Sequence, residues 1–484
     1  MRYEVVIGLE THAELLTRSK LWCGCSTRFG EPANTQTCPV CLGMPGVLPV
    51  LNKRAFDLSL KAALAMHCTV NQQTYFDRKN YYYPDLPKNY QISQNYANLG
   101  VDGHLDIPVE DGTKRVGIWN VHLEEDAGKN IHVEHPRADY SLVDLNRAGT
   151  PLLEIVSGPD MRSVQEAEAF MQTLRQILRY TQVSDCKMQE GSLRFEASIS
   201  LREPGEEEFG GRVEIKNLNS MKAVSKSLSH EIQRQSRVLD EGGTVARETR
   251  LWDDERGRTG RMRSKEEAHD YRYFPEPDLV QYEVDDGWLE RLRAELPELP
   301  VDRRNRFVEK LGLSEYEARV LTDDRALADY FEQALEHYDA PRSIANWIMN
   351  DILAVLNERK ISISEFEVSA EDLAELARLQ DEDKVTAQGA REVLPEMIET
   401  GRDALTLVEE MGLEAISGED ELVPVVEQAM EAASGAVEDY LGGKKQAIGA
   451  LVGQVMRLSQ GQADPQKARA LLQEKLEDMA GESE

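Results

Sequence analysis

Leu296-Pro-Glu-Leu-Pro300 divides the chain into two parts of different composition. A proline inside a helix removes a backbone hydrogen bond, so this stretch predicts a linker. The residues before it are rich in Gly, Pro, Tyr and short alternating apolar stretches, which predicts strands, long loops and a few helices. After it, apolar residues recur with helical spacing. The sequence therefore predicts an α+β fold with an all-α C-terminal part.

A length of 484 residues predicts two to four domains. We expect three domains, with the bounds 1–293, 294–405 and 406–480. The first boundary adjoins the proline-containing linker, and the second falls between Gly401 and Gly418. The last helix is expected to begin at Asp464-Pro465, because Asp is a favoured N-cap and proline fits the first helical turn.

Composition is that of an ordinary globular protein, with 41% hydrophobic and 30% charged residues. No apolar run approaches the roughly 18 residues that span a membrane, and the first residues do not form a signal peptide. We therefore expect a cytoplasmic protein with no membrane partner. The formal net charge of −31 argues against nucleic-acid binding by overall charge. Net charge does not describe local surfaces, and a small basic surface can bind RNA even on an acidic protein.

Four of the six cysteines cluster near the N-terminus, which argues against a disulfide framework. Cys23-Gly-Cys25 is followed by Cys38-Pro-Val-Cys41. Two close thiol pairs on adjacent loops place four sulfurs around one tetrahedral ion, so these four residues predict a structural Zn²⁺ site. The alternatives are surface thiols that bind no metal and a redox pair.

Glu10 and His12 are the first candidates for a divalent metal site. In the alternating run Tyr3–Glu10 residues two apart share a face, so both side chains would point the same way. A carboxylate beside an imidazole suits a divalent metal, and a solvated strand face is the alternative. Glu154 is the most informative single acid, because it lies within an otherwise apolar strand. A buried carboxylate needs a partner or a metal, unless an edge strand turns it to solvent.

Two further stretches carry acids on expected strands. Glu124, Glu125 and Asp126 are consecutive, and their repulsion has a cost unless a cation compensates for it. On a strand Glu124 and Glu125 would face opposite ways, and a solvated acidic turn is the alternative. Glu196 lies on the polar face of the alternating run Leu193–Leu201, where simple solvent exposure explains it equally well.

Basic and aromatic residues accompany these acids. Lys79 lies in Phe76-Asp-Arg-Lys-Asn-Tyr-Tyr-Tyr-Pro-Asp85, which mixes cations with stackable rings. Lys216 and Asn217 lie where a strand passes into a helix, and the free amides of a helix N-terminus bind phosphate. Both stretches are equally compatible with surface loops.

Several long motifs resemble the B subunit of the aspartyl/glutamyl-tRNA(Asn/Gln) amidotransferase. They occur in order along nearly the whole chain and comprise Ile7-Gly-Leu-Glu-Thr-His-Ala-Glu-Leu15, Phe76–Asp85, Tyr90-Gln-Ile-Ser-Gln94, His122-Leu-Glu-Glu-Asp-Ala-Gly-Lys129, Tyr140–Glu154, Glu214-Ile-Lys-Asn-Leu-Asn-Ser220, Glu248-Thr-Arg-Leu-Trp252, Asp270-Tyr-Arg-Tyr-Phe-Pro-Glu-Pro-Asp278 and Gly443–Met456. The resemblance implies a mixed-sheet, cradle-like catalytic domain, then a helical domain and a small tRNA-binding helical tail.

The resemblance also implies site residues. The residues expected to bind Mg²⁺ are Glu10, His12, Glu125, Glu154 and Glu196. The residues expected to act in catalysis are Glu10, His12, Lys79 and Glu125. Substrate is expected to bind Lys216 and Asn217. Glu196 stands where the family usually has Asp, and Phe195 where it usually has Cys. Phe195 should therefore face the core, and the longer Glu196 side chain changes the metal geometry.

The reaction implied is ATP-dependent phosphorylation of the side-chain carboxylate of Glu-tRNA(Gln), Asp-tRNA(Asn) or both, followed by amidation with ammonia. The sequence contains no amidase-like Ser-Ser-Gly stretch and no Walker motif. Ammonia is therefore expected from a glutaminase (amidase) partner, and a small third subunit is expected in the complex. The alternatives are a non-catalytic, zinc-containing tRNA-binding scaffold and a metal-dependent hydrolase.

Overall fold

The computed structural model describes residues 2–110, 112–132, 140–264, 270–416 and 418–481. The chain divides at Pro300 into two compact units, 1–300 and 301–484. Within the described ranges, no helix is both long and apolar enough to cross a membrane. The expected fold class is confirmed, because a large mixed sheet in the first unit is followed by helices alone in the second.

The strands of the described residues all lie in the first unit. They are β1 (Glu4–Glu14), β2 (Thr69–Val70), β3 (Gln73–Thr74), β4 (Asp77–Asn80), β5 (Tyr90–Ser93), β6 (Gly100–Val109), β7 (Gly112–Glu125), β8 (Lys129–His132), β9 (Ser141–Asp144), β10 (Pro151–Ser157), β11 (Leu193–Arg202), β12 (Val213–Lys216), β13 (Glu248–Asp253), β14 (Arg258–Ser264), β15 (Phe274–Pro275) and β16 (Tyr282–Glu283). Most of them join one sheet with the order β14-β13-β12-β11-β1-β10-β7-β6-β2. A smaller sheet has the order β15-β4-β5.

Alternation along the central strands decides which face of the large sheet is buried. On β1 the odd-numbered residues Val5, Ile7 and Leu9 are buried in the core of the unit, whereas Glu4 and Glu10 on the opposite face are not. Phe195 on β11 joins the same core, as expected. Residues two apart on a strand share a face, so the polar even-numbered residues of β1 are left together on the other face.

Among its described residues the first unit has four helices: α1 (Lys53–Ala65), α2 (Val164–Tyr180), α3 (Met221–Asp240) and α4 (Asp286–Ala294). Phe56 of α1, Phe170 of α2 and Leu228 of α3 are buried in the same core as the odd-numbered residues of β1. These helices therefore cover the apolar face of the sheet. Each begins at a side-chain cap, as at Asn52 before α1 and Ser163 before α2, which satisfies amides that the helix leaves unpaired.

The second unit is helical. Its α-helices are α5 (Pro300–Leu311), α6 (Glu315–Leu321), α7 (Arg325–His337), α8 (Pro341–Trp347), α9 (Leu353–Arg359), α10 (Ala370–Asp381), α11 (Ala387–Thr400), α12 (Ala404–Met411), α13 (Glu419–Ala432), α14 (Ser434–Leu441), α15 (Ile448–Leu458) and α16 (Pro465–Gly481). A π-helical turn at Ile348–Ile352 joins α8 to α9. The predicted start of the last helix is confirmed, since Asp464 accepts hydrogen bonds from the backbone amides of Gln466 and Lys467.

Two separate hydrophobic cores form within the second unit. One contains residues from Phe307 to Val408, and the other begins with Leu422 and ends with Leu476. Leu407 and Val408 of α12 lie in the first of these cores, so a boundary at 405/406 would cut through that helix. The tail domain bounds thus stay a prediction, and core packing favours a start after α12.

Candidate functional site

The strand register brings acids and imidazoles from four neighbouring strands into one row. On the polar face of the large sheet, His12 of β1 is paired with Glu154 of β10, and Glu154 is paired in turn with His122 of β7. Glu10 of β1 is paired on its other side with Glu196 of β11. Cross-strand partners lie about 5 Å apart, so residues distant in sequence become neighbours here.

The side chains of this row contact one another directly. The Nε2 atom of His12 lies 3.3 Å from Glu154 Oε2, 3.6 Å from Glu10 Oε1 and 3.8 Å from Glu124 Oε1. His122 Nε2 lies 3.2 Å from the same Glu154 oxygen. Donor atoms within 4.8 Å of one another form two groups that share Glu154: Glu10, His12 and Glu154, and His122, Glu124 and Glu154. We call these five residues the acid–imidazole cluster.

Glu154 occupies the centre of the cluster because β10 lies between β1 and β7 and is not an edge strand. The solvent-exposed alternative for Glu154 is therefore excluded, and its residue exposure is 9%. Burial alone would raise the pKa of Glu154, but the neighbouring His122 and His12 hold the pKa well below its ordinary value. A buried carboxylate thus remains ionised because two imidazoles face it.

The remaining cluster groups show that negative charge is in excess. Burial would lower the pKa of His12, but the hydrogen bond and charge of Glu154, with the charges of Glu124 and Glu10, raise it to about 9. Burial and the charge of Glu154 raise the pKa of Glu10 to about 7. Protons are thus retained where carboxylates crowd together, and a divalent cation would relieve the same repulsion.

Glu125 does not join the cluster, in contrast to what the family resemblance implied. Adjacent residues on a strand face opposite ways, so β7 directs Glu124 into the cluster and Glu125 to the other side. There the Glu125 carboxylate is paired with the Lys88 ammonium and accepts a hydrogen bond of 2.9 Å from the Ile92 amide. The side chains of Lys88 and Glu125 are 8% and 3% exposed. Glu125 is therefore a member of a buried ion pair.

Replacing Glu125 by alanine should lower the melting temperature of the first unit. The change leaves the Lys88 ammonium buried without its partner, which costs about 3–5 kcal/mol. Calorimetry of Glu125→Ala measures this loss. In the matched control Asp106→Ala, which breaks the solvent-exposed pair with Arg115, the loss should stay below about 1 kcal/mol. An unchanged melting temperature for Glu125→Ala would contradict the assignment of a stabilising buried pair.

A cavity of about 260 Å³ opens beside the cluster. Its walls include Glu10, His12 and Glu124 of the cluster, Glu196, and the three cations Lys79, Arg194 and Lys216. Burial would lower the pKa of Lys79, but the charges of Glu124, Tyr273 and Glu154 outweigh it and raise the pKa above its ordinary value. Lys79 is therefore a fixed positive charge facing the acids.

Glu196 and Asn217 differ in their relation to this cavity. The Glu196 carboxylate accepts a hydrogen bond of 2.6 Å from Lys216 Nζ, so it lines the cavity as half of an ion pair next to Glu10. Asn217 has a positive φ of 64°, and its side-chain amide donates to the Trp252 carbonyl at 3.0 Å. It is exposed and lies outside the wall of the cavity, so its expected substrate contact stays a prediction.

A second, more apolar cavity of about 370 Å³ lies on the same sheet face and shares Glu10 with the first. Apolar side chains such as Val6, Val156 and the partly exposed Trp119 and Phe209 line it. Arg212 and Arg247 add positive charge to its wall. A flat apolar ring with an attached anion fits this combination of surfaces.

The four clustered cysteines approach one another as their spacing predicts. The four Sγ atoms all lie within 4.8 Å of one another; they belong to Cys23, Cys25, Cys38 and Cys41. The hydrogen bond with Cys23 lowers the pKa of Cys41 to about 4, while the same contact and burial raise the pKa of Cys23. All six cysteines fall in the described part of the chain, and none is in a disulfide. The arrangement matches a four-thiolate metal site.

The turn after Cys41 also packs on the buried ion pair. Gly43 has a φ of +64°, and a Cβ atom there would lie 2.4 Å from Lys88 Cγ. Glycine is therefore required both for the backbone conformation and for the close approach. Lys20, which is fully buried, donates to Cys41 Sγ at 3.6 Å.

His122 and Glu124 were not predicted as members of the cluster, and Arg194 was not predicted as a cation of the cavity. The signal for the first two was present, because His122 and Glu124 are two residues apart on a strand and share a face. Arg194 is two residues from Glu196 on the polar face of β11 and could have been found in the same way.

Comparisons with known proteins agree with this architecture. Residues 5–290 match the family described as the GatB/GatE catalytic domain, and residues 329–476 match the GatB domain family. Among curated relatives, the B subunit of the aspartyl/glutamyl-tRNA(Asn/Gln) amidotransferase from Carboxydothermus hydrogenoformans is 51% identical over 98% of this chain and 99% of its own. The protein of the same name from Caldanaerobacter subterraneus is 51% identical over 98% of this chain and 100% of its own. The protein of this name from Geotalea uraniireducens is 49% identical over 98% of this chain and 100% of its own.

Proposed function

The chain belongs to the family of aspartyl/glutamyl-tRNA(Asn/Gln) amidotransferase B subunits, and we propose that it activates the side-chain carboxylate of a misacylated tRNA with ATP and converts it to an amide. The observation that carries the proposal is the acid–imidazole cluster beside a cavity with three cations. Such a site combines groups that hold a divalent metal with groups that hold phosphate.

The cluster fits a divalent metal by its chemistry. Glu10, Glu124 and Glu154 offer the carboxylate oxygens that Mg²⁺ prefers, and His12 and His122 each belong to one of the two donor groups that share Glu154. The crowded carboxylates, whose charges raise the pKa of His12, support a cation there, and a bound metal would displace the proton from His12. When bound, Mg²⁺ would neutralise charge on the phosphates of ATP. Glu125 is left out of this proposed ligand set, because its carboxylate is paired with Lys88.

The chain's own cations act on the transferred phosphoryl group. The carboxylate oxygen of the aminoacyl side chain attacks the γ-phosphorus, the bond to ADP breaks, and an acyl phosphate forms. Lys79, Arg194 and Lys216 line the cavity and would bind the phosphoryl oxygens as their charge redistributes. The ion pair of Lys216 with Glu196 keeps that ammonium oriented towards the acids.

The second step forms the amide. Ammonia attacks the carbonyl carbon of the acyl phosphate, inorganic phosphate leaves, and the attacking nitrogen gives up a proton. An acyl phosphate is also attacked by water, so the reaction needs a sheltered site and a directed supply of ammonia. We propose that an amidase partner supplies the ammonia and that a small third protein completes the complex. The relatives are named as one subunit of an amidotransferase, which supports an assembly of several different chains.

The apolar cavity next to Glu10 supports a place for the nucleoside of ATP. Trp119 and Phe209 present partly exposed rings there, and Arg212 and Arg247 lie in its wall. A purine in this cavity would direct its phosphates towards Glu10 and the cluster. The four-cysteine site is proposed to bind Zn²⁺ in a structural role, because a closed set of four thiolates leaves no open coordination position.

Reconstitution tests the proposal. The chain is combined with the amidase and third subunits, glutamine, ATP, Mg²⁺ and either Glu-tRNA(Gln) or Asp-tRNA(Asn), and amide formation on each tRNA is measured together with ATP turnover. We expect ATP turnover to require the misacylated tRNA. A complex that binds tRNA but consumes no ATP would favour the scaffold alternative. ATP turnover that ignores the tRNA would favour a metal-dependent hydrolase.

A further inference from the structure

A row of tyrosines lies in the segments next to the strands of the small sheet β15-β4-β5. The ring centroids follow in the order Tyr83, Tyr81, Tyr271, Tyr273 and Tyr96, each 6.0–6.4 Å from the next. Neighbouring rings in the row are inclined by 66–74°, so each meets the next edge to face. We call these five residues the tyrosine row.

The row is not part of the hydrophobic core. Tyr83 is 57% exposed, Tyr96 is 62% exposed and the adjacent Tyr82 is 74% exposed. Three separate segments supply the rings, so their alignment is a product of the tertiary fold. Asn80 fixes one of these segments, because its amide side chain donates to the carbonyls of Tyr271 and Arg272 at 3.2 and 2.8 Å. Fixed, exposed aromatic rings indicate a binding surface.

Tyr81, which lies between Tyr83 and Tyr271 in the row, brings the row to the cavity beside the acid–imidazole cluster. Tyr81 forms part of the cavity wall, and its hydroxyl donates to Gln91 Oε1 at 3.0 Å. Lys79 Nζ lies 5.9 Å from the Tyr81 centroid and 5.2 Å from the Tyr271 centroid. The row therefore forms an aromatic path from the surface to the proposed reaction site.

We propose that the tyrosine row binds the unpaired 3′ end of the aminoacyl-tRNA by stacking its bases on the rings. The inference rests on the proposed function, which requires the aminoacyl group at the 3′ end to enter the cavity. The row joins that cavity to exposed rings at the surface, so it offers the preceding nucleotides a place to bind. Aromatic rings beside a cation bind single-stranded RNA with little sequence preference, because every base has a stacking face.

The test compares binding of two RNA probes to the reconstituted complex: an intact tRNA and the same tRNA trimmed of its unpaired 3′ nucleotides. We expect the intact tRNA to bind the unmodified complex at least about tenfold more tightly. In the double variant Tyr83→Ala/Tyr96→Ala this difference should fall to about twofold or less. The variant Tyr83→Phe/Tyr96→Phe keeps the rings and should retain the full difference. These positions are exposed, so the fold should survive, and thermal melting checks it.

Two outcomes would overturn the inference. If the alanine variant still binds intact tRNA more tightly than trimmed tRNA by the original factor, the row does not hold the 3′ end. If the alanine variant no longer binds its partner subunits but still prefers intact tRNA to trimmed tRNA, the row is a protein interface. Because binding is measured without turnover, a failure of the proposed amidation chemistry does not affect this result. The single variant Tyr96→Ala repeats the test should the double variant assemble poorly.

Discussion

Glu154→Gln should abolish tRNA-dependent amide formation, with a fall in kcat of about 10³-fold or more. The substitution keeps the shape of the side chain and removes its charge. Glu154 belongs to both donor groups of the acid–imidazole cluster, and it contacts His12 and His122 at 3.3 and 3.2 Å. Its loss therefore removes the charge around which both imidazoles are arranged. Amidation by the reconstituted complex is the measurement.

The control for this experiment is Glu4→Gln, which also replaces an acid on the polar face of the sheet. Glu4 lies on the same strand as Glu10 but is paired with Arg162 and Arg202, away from the cluster. Its activity should stay within about twofold of the unmodified complex, since a solvent-accessible ion pair contributes little. Binding of tRNA by Glu154→Gln should be retained. Amidation by Glu154→Gln at the normal rate would exclude the cluster as the reaction site.

Cys38→Ser should release the metal from the four-cysteine site. We expect the unmodified protein to contain close to one zinc per chain, and the variant to bind zinc on the order of 10³-fold more weakly, because a serine hydroxyl replaces one of four thiolates. Metal analysis after dialysis against a chelator measures both. Without zinc, the segment that contains Cys23–Cys41 should become sensitive to protease.

A matched control is Cys186→Ala, which removes a buried thiol outside the four-cysteine group. Zinc content should be unchanged in this variant. Unmodified protein that retains no zinc even when it is produced with added zinc would refute the metal assignment. It would leave the two alternatives to zinc, which are surface thiols that bind no metal and a redox pair.

The fold class and much of the site were predictable from residue patterns. Alternation in Tyr3–Glu10 and Leu193–Leu201 predicted strands with one apolar face, and β1 and β11 have that form. The spacing of the cysteines predicted their convergence. The apolar surroundings of Glu154 predicted a buried carboxylate with partners. These successes share a cause, because each depends on local periodicity or on the cost of burying charge.

The pairing between strands that are distant in the chain could not be predicted from the sequence. That His12 lies opposite Glu154, and Glu154 opposite His122, is decided by the order β1-β10-β7 and by register. The choice between Glu124 and Glu125 depended on that order too. Alternation showed that they face opposite ways, but the chain alone did not show which face carries the other acids. The family resemblance implied Glu125, whereas the structure brings Glu124 to the cluster.

The donors of the cluster project from paired backbone in the middle of the sheet and not from loops. Their spacing is consequently set by the interval between neighbouring strands, about 4.8 Å, which thermal motion changes little. The backbone that carries the donors is therefore already in place when an ion binds, so less ordering is required than at a site built from loops. Selectivity among ions should then depend on the spacing of the donors on these strands. Changes in the surface loops should leave that selectivity unchanged.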